Sequence, residues 1–255
     1  MYLSTNELRA GGIRPQNLIF WFAFLTGMLL LSFQNYLLFH SLVELFSIII
    51  AFMMFAIAIN TGRFAGANSA FLTFLGLSYG IVGGFDLLHT LAYKGMGVFP
   101  NNTANMATEL WIIARYLQSA ALLIASILFN RQTNIRRIIQ AFAVVAVLLF
   151  AAVFIFDRFP DCFIEGYGLT DFKKISEVII SLILSASAIL LFKKRKSLKD
   201  NAYWLLILSV MLTIMSELVF ILYVDVSGIP NIIGHMLKLA AFYFVYKAVV
   251  EVNLL

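Results

Sequence analysis

Charged residues are scarce in this sequence. Asp, Glu, Lys and Arg make up 12% of its 255 residues, whereas a soluble domain contains about 25%. Hydrophobic residues make up 62%, and the mean hydropathy is +0.94. Such a chain cannot cover a water-facing surface with polar side chains. Since its apolar runs reach the roughly 20 residues needed to cross a bilayer, the composition indicates an α-helical membrane protein.

Cysteine and enzyme motifs are also lacking. The single cysteine, Cys162, excludes an internal disulfide and any multi-cysteine metal site. The sequence contains no His-Glu-x-x-His, Gly-x-Ser-x-Gly, P-loop or kinase signature. We therefore expect that the chain is not an enzyme. The net charge of +5 does not indicate nucleic acid, because the basic residues cluster between apolar runs, where they orient a chain in the lipid bilayer.

The apolar runs predict an all-α, polytopic bundle of eight transmembrane helices. The predicted spans are residues 18–39, 41–60, 69–93, 107–129, 136–156, 174–192, 202–224 and 231–250. Residues 1–16 form a polar lead, and residues 17–255 form the membrane domain. The first two spans are predicted to form a helical hairpin with its turn near His40. The longest loop, residues 157–173, is long enough to fold over a mouth formed by the helices.

The distribution of Lys and Arg predicts the orientation. With a cytoplasmic N-terminus, the inner side receives most basic residues, including the run Lys193–Lys196. The outer side then holds Lys94, Arg158, Lys173 and Lys174. Because cytoplasmic loops carry the excess of Lys and Arg, both termini, and with them the lead 1–16, are predicted to be cytoplasmic.

The stretch Gly83–Met96 places ionisable groups in a membrane-grade segment. Asp86 and His89 are three residues apart, and His89 and Tyr93 are four apart, so on a helix they share one face. A carboxylate and an imidazole at this depth are costly unless they have a partner, water or a ligand. We therefore expect other polar residues to converge on this face.

Counting along the spans at 1.5 Å per residue gives two polar layers. The outer layer contains the three histidines of the chain and one acid, and its members are His40, Glu44, His89 and His235. The deeper layer lies about 10–12 Å from the outer helix ends, and its members are Asp86, Arg115, Glu217 and Lys238. The cytoplasmic halves of these helices carry almost no ionisable residue. The pattern predicts an outward-facing pocket with a sealed floor, although buried ion pairs that only fix helix packing would give the same pattern.

Several ligands suit these residues. His40, His89 and His235 are candidate ligands for zinc or copper, and His40-x-x-x-Glu44 places a carboxylate one turn away. Two histidines from different helices could instead clamp a haem. The same groups could hydrogen-bond a quinone or a small polar solute. A haem- or metal-binding membrane redox protein and a small-solute transporter therefore remain alternatives to a sensor, and the cofactor stays open between a metal ion and haem.

Particular stretches resemble a known family. Each combines polar or aromatic residues with apolar ones, and they are Phe39–Phe46, Asp86–Met96, Leu110–Ile112 with Arg115-Tyr116, Gly168–Thr170 with Phe172-Lys173, and Tyr246–Ala248. Together they are similar to the third type of membrane-associated sensor domain, of the MASE group, in bacterial signalling proteins. The likeness covers nearly the whole chain, and Asp86–Met96 is its most specific part.

The resemblance implies an integral input module of the bacterial inner membrane. Members precede cytoplasmic outputs such as histidine kinases or diguanylate cyclases, and so take part in two-component or cyclic di-GMP signalling. We expect the output domain to lie outside this chain, and a homodimer is expected by analogy with such outputs. The expected ligand contacts come from both layers and from Tyr93. Binding would shift the last helix, which leads to the cytoplasm.

Overall fold

The computed structural model describes residues 15–60, 69–99, 103–129, 134–197, 200–222 and 228–251. The described part contains eight α-helices: α1 (Pro15–Gln34), α2 (Tyr36–Asn60), α3 (Ser69–Leu91), α4 (Ala104–Leu128), α5 (Ile135–Phe154), α6 (Asp171–Lys193), α7 (Asp200–Phe220) and α8 (Ile229–Tyr246). A two-residue antiparallel hairpin, β1 (Phe163–Ile164) and β2 (Gly168–Leu169), stands between α5 and α6. A short 3₁₀ turn, Arg195–Ser197, follows α6, and a π-helical turn, Lys247–Glu251, follows α8.

The prediction of an all-helical membrane bundle is confirmed. Helices α2 to α8 are each long and apolar enough to cross a membrane, which makes seven candidate spans among the described residues. In α1 the described side chains cover only Trp21–Gln34, an apolar stretch that is shorter than these seven spans. The eighth crossing therefore stays a prediction. Trp21 lies 4.3 Å from Tyr243 between ring centroids. Because these rings stand near the start of α1 and near the end of α8, the two helices approach at the same end of the bundle.

The predicted turn near His40 is wrong. Helix α1 ends at Gln34 and α2 begins at Tyr36, so the break falls at Asn35. The side-chain oxygen of Asn35 accepts a hydrogen bond from the backbone N–H of Leu38 at 3.0 Å, as a residue that begins a helix does. His40 therefore lies inside α2, one helical turn from Glu44 and on the same face.

Helices α2 and α3 pack closely because α3 lacks side chains along one stripe. A Cβ atom on Gly76 would lie 2.7 Å from Cβ of Ala58, and one on Gly83 would lie 2.9 Å from Cβ of Ala51. Distances below 3.0 Å do not occur between real Cβ atoms and their neighbours. Only glycine therefore permits this approach, which places the polar face of α2 against Asp86 and His89.

The loop between α5 and α6 is shorter than expected and is tied to α4. The side-chain oxygen of Asn105 accepts hydrogen bonds from the backbone N–H groups of Cys162 and Phe163, at 2.8 and 2.9 Å. Thr170 caps α6 by accepting from the backbone N–H of Lys173 at 3.3 Å. Helix α6 thus begins at Asp171 rather than at residue 174, and Lys173 is a buried helix residue rather than an exposed loop residue.

Candidate functional site

Four helices bring seven of the nine predicted site residues into one buried group. The group, called here the four-helix cluster, contains His40 and Glu44 of α2, Asp86 and His89 of α3, Arg115 of α4, and His235 and Lys238 of α8. The most exposed of these residues, His89, has a relative exposure of 4%. The two layers expected from the sequence are joined, because Glu44 contacts both the histidines and the deeper charges.

The three histidines and Glu44 stand close together. Nε2 of His40 lies 3.2 Å from Nε2 of His89, and Nε2 of His235 lies 3.4 Å from Oε1 of Glu44. One nitrogen or oxygen from each of the four residues falls within 4.8 Å of the others. Such a grouping of imidazoles and a carboxylate could hold a metal ion.

Two of the histidines are oriented by backbone carbonyl groups. Nδ1 of His89 lies 2.7 Å from the carbonyl oxygen of Ala107, and Nδ1 of His235 lies 2.7 Å from that of Asn231. A carbonyl oxygen can only accept, so Nδ1 carries the hydrogen in both rings. In the neutral ring, Nε2 then presents its lone pair to the other side chains of the cluster.

The deeper charges form a continuous ion network. Nζ of Lys238 lies 2.5 Å from Oε2 of Glu44 and 3.3 Å from Oδ1 of Asp86. Asp86 also accepts a hydrogen bond from Arg115, whose guanidinium donates to Gln118 as well. Two acids and two bases are thus paired, so these four groups formally cancel each other's charge.

Trp111 separates this network from a second buried group. The Arg115 guanidinium carbon and Nζ of Lys238 lie 4.7 and 4.6 Å from the centroid of the Trp111 ring, within cation–π range. The indole N–H of Trp111 donates to Oε1 of Glu177 at 3.3 Å. Trp111 therefore contacts both groups.

The second group, called here the α6–α7 cluster, contains Lys173, Glu177 and Glu217. Nζ of Lys173 lies 2.6 Å from Oε1 of Glu177 and donates to the carbonyl oxygen of Phe220 at 2.9 Å. Glu217 interacts with Glu177 and also, through its charge, with Arg115 of the four-helix cluster. Glu217 is therefore linked to both clusters. Depth along α7 does not fix the direction in which a side chain leaves the helix.

A small pocket opens beside the histidines. It has a volume of about 20 Å³, and its lining includes His89, Tyr93, Trp111 and His235. Tyr93 stacks on His40 at 3.7 Å between ring centroids. Helix α3 ends at Leu91, so Tyr93 reaches this position from just beyond the helix. A cavity of this size has room for about one water molecule, which suits an ion far better than a haem.

The loop 157–173 was expected to cover the mouth. Its residues are absent from the pocket lining, in a part of the chain that the structure describes throughout. The loop reaches the rim through Glu165, whose carboxylate lies 3.1 Å from Nζ of the pocket residue Lys94. It therefore stands beside the pocket.

Sequence reasoning missed several residues around the site. Trp111 was noted only as part of a family motif, and Tyr79 and Gln118 were not considered. Gln118 donates to the Tyr79 hydroxyl at 3.4 Å and so extends the Arg115 network. The four-residue spacing of Lys173 and Glu177 is the one feature that could have indicated their ion pair.

Comparison with known families identifies the chain. The profile of the MASE3 membrane-associated sensor domain matches residues 31–255, a range that contains every residue of both clusters. A comparison with curated proteins and with solved structures finds no match. The resemblance expected from the Asp86–Met96 stretch is confirmed. With its all-helical bundle and its apolar spans, the chain is a multi-pass membrane protein that belongs to the MASE3 family of membrane-associated sensor domains.

Proposed function

We propose that the chain is the sensory input domain of a signalling protein in the bacterial inner membrane. A small ligand or ion enters from the extracytoplasmic side and binds beside His40, His89 and His235. Helix α8 then transmits the change to a cytoplasmic output, a histidine kinase or a diguanylate cyclase. The family match supports the sensory role, and the contacts of α8 support this route of transmission.

The contacts of α8 carry the proposal. Both of its ionisable cluster residues pair with other helices: His235 and Lys238 with Glu44 of α2, and Lys238 also with Asp86 of α3. A ligand or ion that binds the Glu44 carboxylate must therefore change the ion pairs that α8 makes with it. A ligand shifts an equilibrium only by binding one arrangement better than the other, and these exchangeable ion pairs supply two arrangements.

Helix α7 supports α8 along its length. Ser216 donates to the carbonyl oxygen of Gly234 at 2.8 Å, and Ser209 donates to that of Ala241 at 2.7 Å. Because these bonds tie the two helices over about two turns, a displacement at His235 would move the pair together. The end of α8 lies beside the start of α1, at the end predicted to be cytoplasmic.

The same geometry favours a receptor over a transporter. A transported solute needs polar groups through the whole thickness of the membrane. Below the four-helix cluster, α2 and α3 pack through Gly76 and Ala58 at a separation that leaves no room for a side chain. This close contact supports a sealed floor.

A chimera tests the proposal. The chain is fused to a cytoplasmic diguanylate cyclase, and cyclic di-GMP is measured in cells that carry the wild type, His89→Ala, Glu44→Gln or Glu177→Gln. We expect the first two variants to hold cyclic di-GMP at a level that differs from the wild type, and Glu177→Gln to give the wild-type level. Glu177→Gln is the matched control, because it makes the same change at a buried carboxylate of the α6–α7 cluster. Wild-type output from both His89→Ala and Glu44→Gln would contradict the proposal.

A further inference from the structure

We infer that a single borderline divalent metal ion, of the Zn²⁺ class, binds between His40, His89, His235 and Glu44, next to the small pocket that His89 and His235 line. This inference rests on the proposed function for its role in signalling, and it names the ligand. The metal site itself follows from the geometry of the four side chains.

Nε2 of His235 and Oε1 of Glu44 face each other at 3.4 Å and need a positive charge between them. Nδ1 of His235 donates its hydrogen to the carbonyl oxygen of Asn231, so Nε2 is the nitrogen that faces the carboxylate. Within the described part of the chain, neither facing atom has a geometrically complete hydrogen bond. Buried polar atoms are nearly always satisfied, so either a proton on His235 or a metal ion is expected here, and the spacing and the donor types of the whole group favour the metal ion.

The spacing of the donor atoms fits a tetrahedral site. Zinc binds nitrogen and carboxylate oxygen at about 2.0–2.2 Å, so neighbouring ligand atoms of such a site are about 3.3–3.6 Å apart. The His40–His89 nitrogen distance is 3.2 Å, and the His235–Glu44 distance is 3.4 Å. Two opposite edges of a tetrahedron are therefore already formed. The other pairs lie within 4.8 Å and need to close by only about an ångström or so.

The types of donor atom also select the ion. Three imidazoles and one carboxylate suit zinc and similar ions, whereas Ca²⁺ and Mg²⁺ prefer a shell of oxygens. The carbonyl groups of Ala107 and Asn231 hold His89 and His235 by their far nitrogens, as the outer shell of a metal site does. The volume of about 20 Å³ beside them admits an ion.

Lys238 competes with the metal ion for the Glu44 carboxylate. Its ammonium group lies 2.5 Å from Oε2 of Glu44, so a metal ion that binds Glu44 draws on the same carboxylate and is repelled by the ammonium charge. Metal binding would weaken the Glu44–Lys238 pair and leave Lys238 with Asp86. Since His235 and Lys238 both belong to α8, this exchange connects the ion to the helix that carries the output.

The experiment measures metal binding directly. The chain is purified in detergent without a histidine tag and stripped with a chelator. It is then titrated with Co²⁺, whose visible absorption reports tetrahedral coordination, and Zn²⁺ is added in competition. We expect one Co²⁺ per chain, displaced by Zn²⁺. Glu44→Gln and His89→Gln should lower the affinity by about a hundredfold or more, because even outer-shell partners contribute 10- to 100-fold. Glu177→Gln, the matched change in the α6–α7 cluster, should retain the affinity.

Lys238→Gln has the opposite expected sign. It removes the competing charge and should raise the Co²⁺ affinity by about tenfold or more, since the ammonium group repels a cation that binds the same carboxylate. Loss of folding cannot produce this gain. Elution volume and thermal unfolding identify any variant that has lost its fold. If Glu44→Gln or His89→Gln has lost its fold, His40→Gln, which removes another of the proposed ligands, is measured in its place.

The outcomes separate the two proposals. Absence of a tetrahedral Co²⁺ spectrum and of Zn²⁺ binding in the wild type would overturn the metal site, and so would unchanged binding in Glu44→Gln and His89→Gln. If no metal ion binds but His89→Ala still changes the cyclic di-GMP level of the chimera, the sensory role survives with another ligand. If Co²⁺ binds as expected but the substitutions leave the cyclic di-GMP level of the chimera unchanged, the metal site stands and the proposed function fails.

Discussion

The two buried polar clusters are built from similar residues and differ in how their charges are satisfied. In the α6–α7 cluster, Lys173 pairs with Glu177 and donates to the carbonyl oxygen of Phe220. In the four-helix cluster, Lys238 and Arg115 pair with Glu44 and Asp86, and three imidazoles gather around Glu44. The first cluster contains no imidazole. Only the second brings together the nitrogen and oxygen donors that a metal ion such as zinc binds.

The difference also concerns which helices are joined. Lys173 and Glu177 are one turn apart on α6, so their ion pair forms within a single helix. Lys238 instead connects α8 to α2 and α3, far apart in the sequence. The α6–α7 cluster also joins helices, through the bond from Lys173 to the carbonyl oxygen of Phe220, but its ion pair does not depend on their relative position, whereas the ion pairs of Lys238 do. We therefore propose a structural role for the α6–α7 cluster and a sensory role for the four-helix cluster.

The largest effect on stability is expected for a substitution at Asp86. Asp86→Asn leaves Arg115 and Lys238 without a shared carboxylate in a buried site, and breaking a buried ion pair costs about 3–5 kcal/mol. We expect a strongly lowered unfolding temperature in detergent. Glu165→Gln is the control, because it removes an ion pair whose side chains are about half exposed, and such pairs contribute about 0–1 kcal/mol. Equal stability of the two variants would show that the deep network is dispensable.

An intermediate effect is expected in the α6–α7 cluster. Lys173→Met leaves the buried Glu177 carboxylate without its cation and should cost about 3 kcal/mol. The double variant Lys173→Met with Glu177→Gln removes both charges and keeps an acceptor for Trp111, so it should regain most of the stability. Its chimera should respond as the wild type does. If the double variant is stable but its chimera gives a changed cyclic di-GMP level, the two clusters do not differ in role, and both take part in sensing.

Much of this arrangement could be predicted from the sequence, because hydropathy and depth are one-dimensional. The spans of α2 to α8 and the proximity of Asp86, His89 and His235 follow from apolar run lengths and from 1.5 Å per residue. Rotation about a helix axis does not follow from depth. Depth therefore places Glu217 in the layer of Asp86 and Arg115 but does not show that it also interacts with Glu177.

Local capping explains the other errors. Asn35 interrupts an apolar run that hydropathy treats as continuous up to His40, and it begins α2 through its own side chain. Thr170 starts α6 three residues early and so moves Lys173 from a loop into the bundle. Trp111 was not placed in the site because hydropathy does not show which face of a span is buried, whereas this side chain is 4% exposed and contacts both clusters.

The smallest expected effect is at Asn105, which holds the α5–α6 loop onto α4. Asn105→Ala removes the acceptor of two backbone N–H groups, those of Cys162 and Phe163, and should cost about 1–2 kcal/mol locally. Cys162 reports this opening. Burial raises the pKa of its thiol, so little thiolate is present at neutral or mildly alkaline pH and maleimide labelling should be slow there.

In Asn105→Ala the thiol should regain an ordinary pKa near 8.5 whenever the loop opens. Labelling should accelerate by about tenfold, since 1.4 kcal/mol corresponds to a factor of ten. Tyr167→Ala, at the exposed tip of the hairpin, is the control and should leave the rate unchanged. Co²⁺ affinity should stay within about twofold in both variants, because metal-site mutations act through ligands and their outer-shell partners, and Asn105 is neither. A tenfold loss of affinity in Asn105→Ala would instead make the loop a cover for the pocket and would extend the sensory cluster to the hairpin.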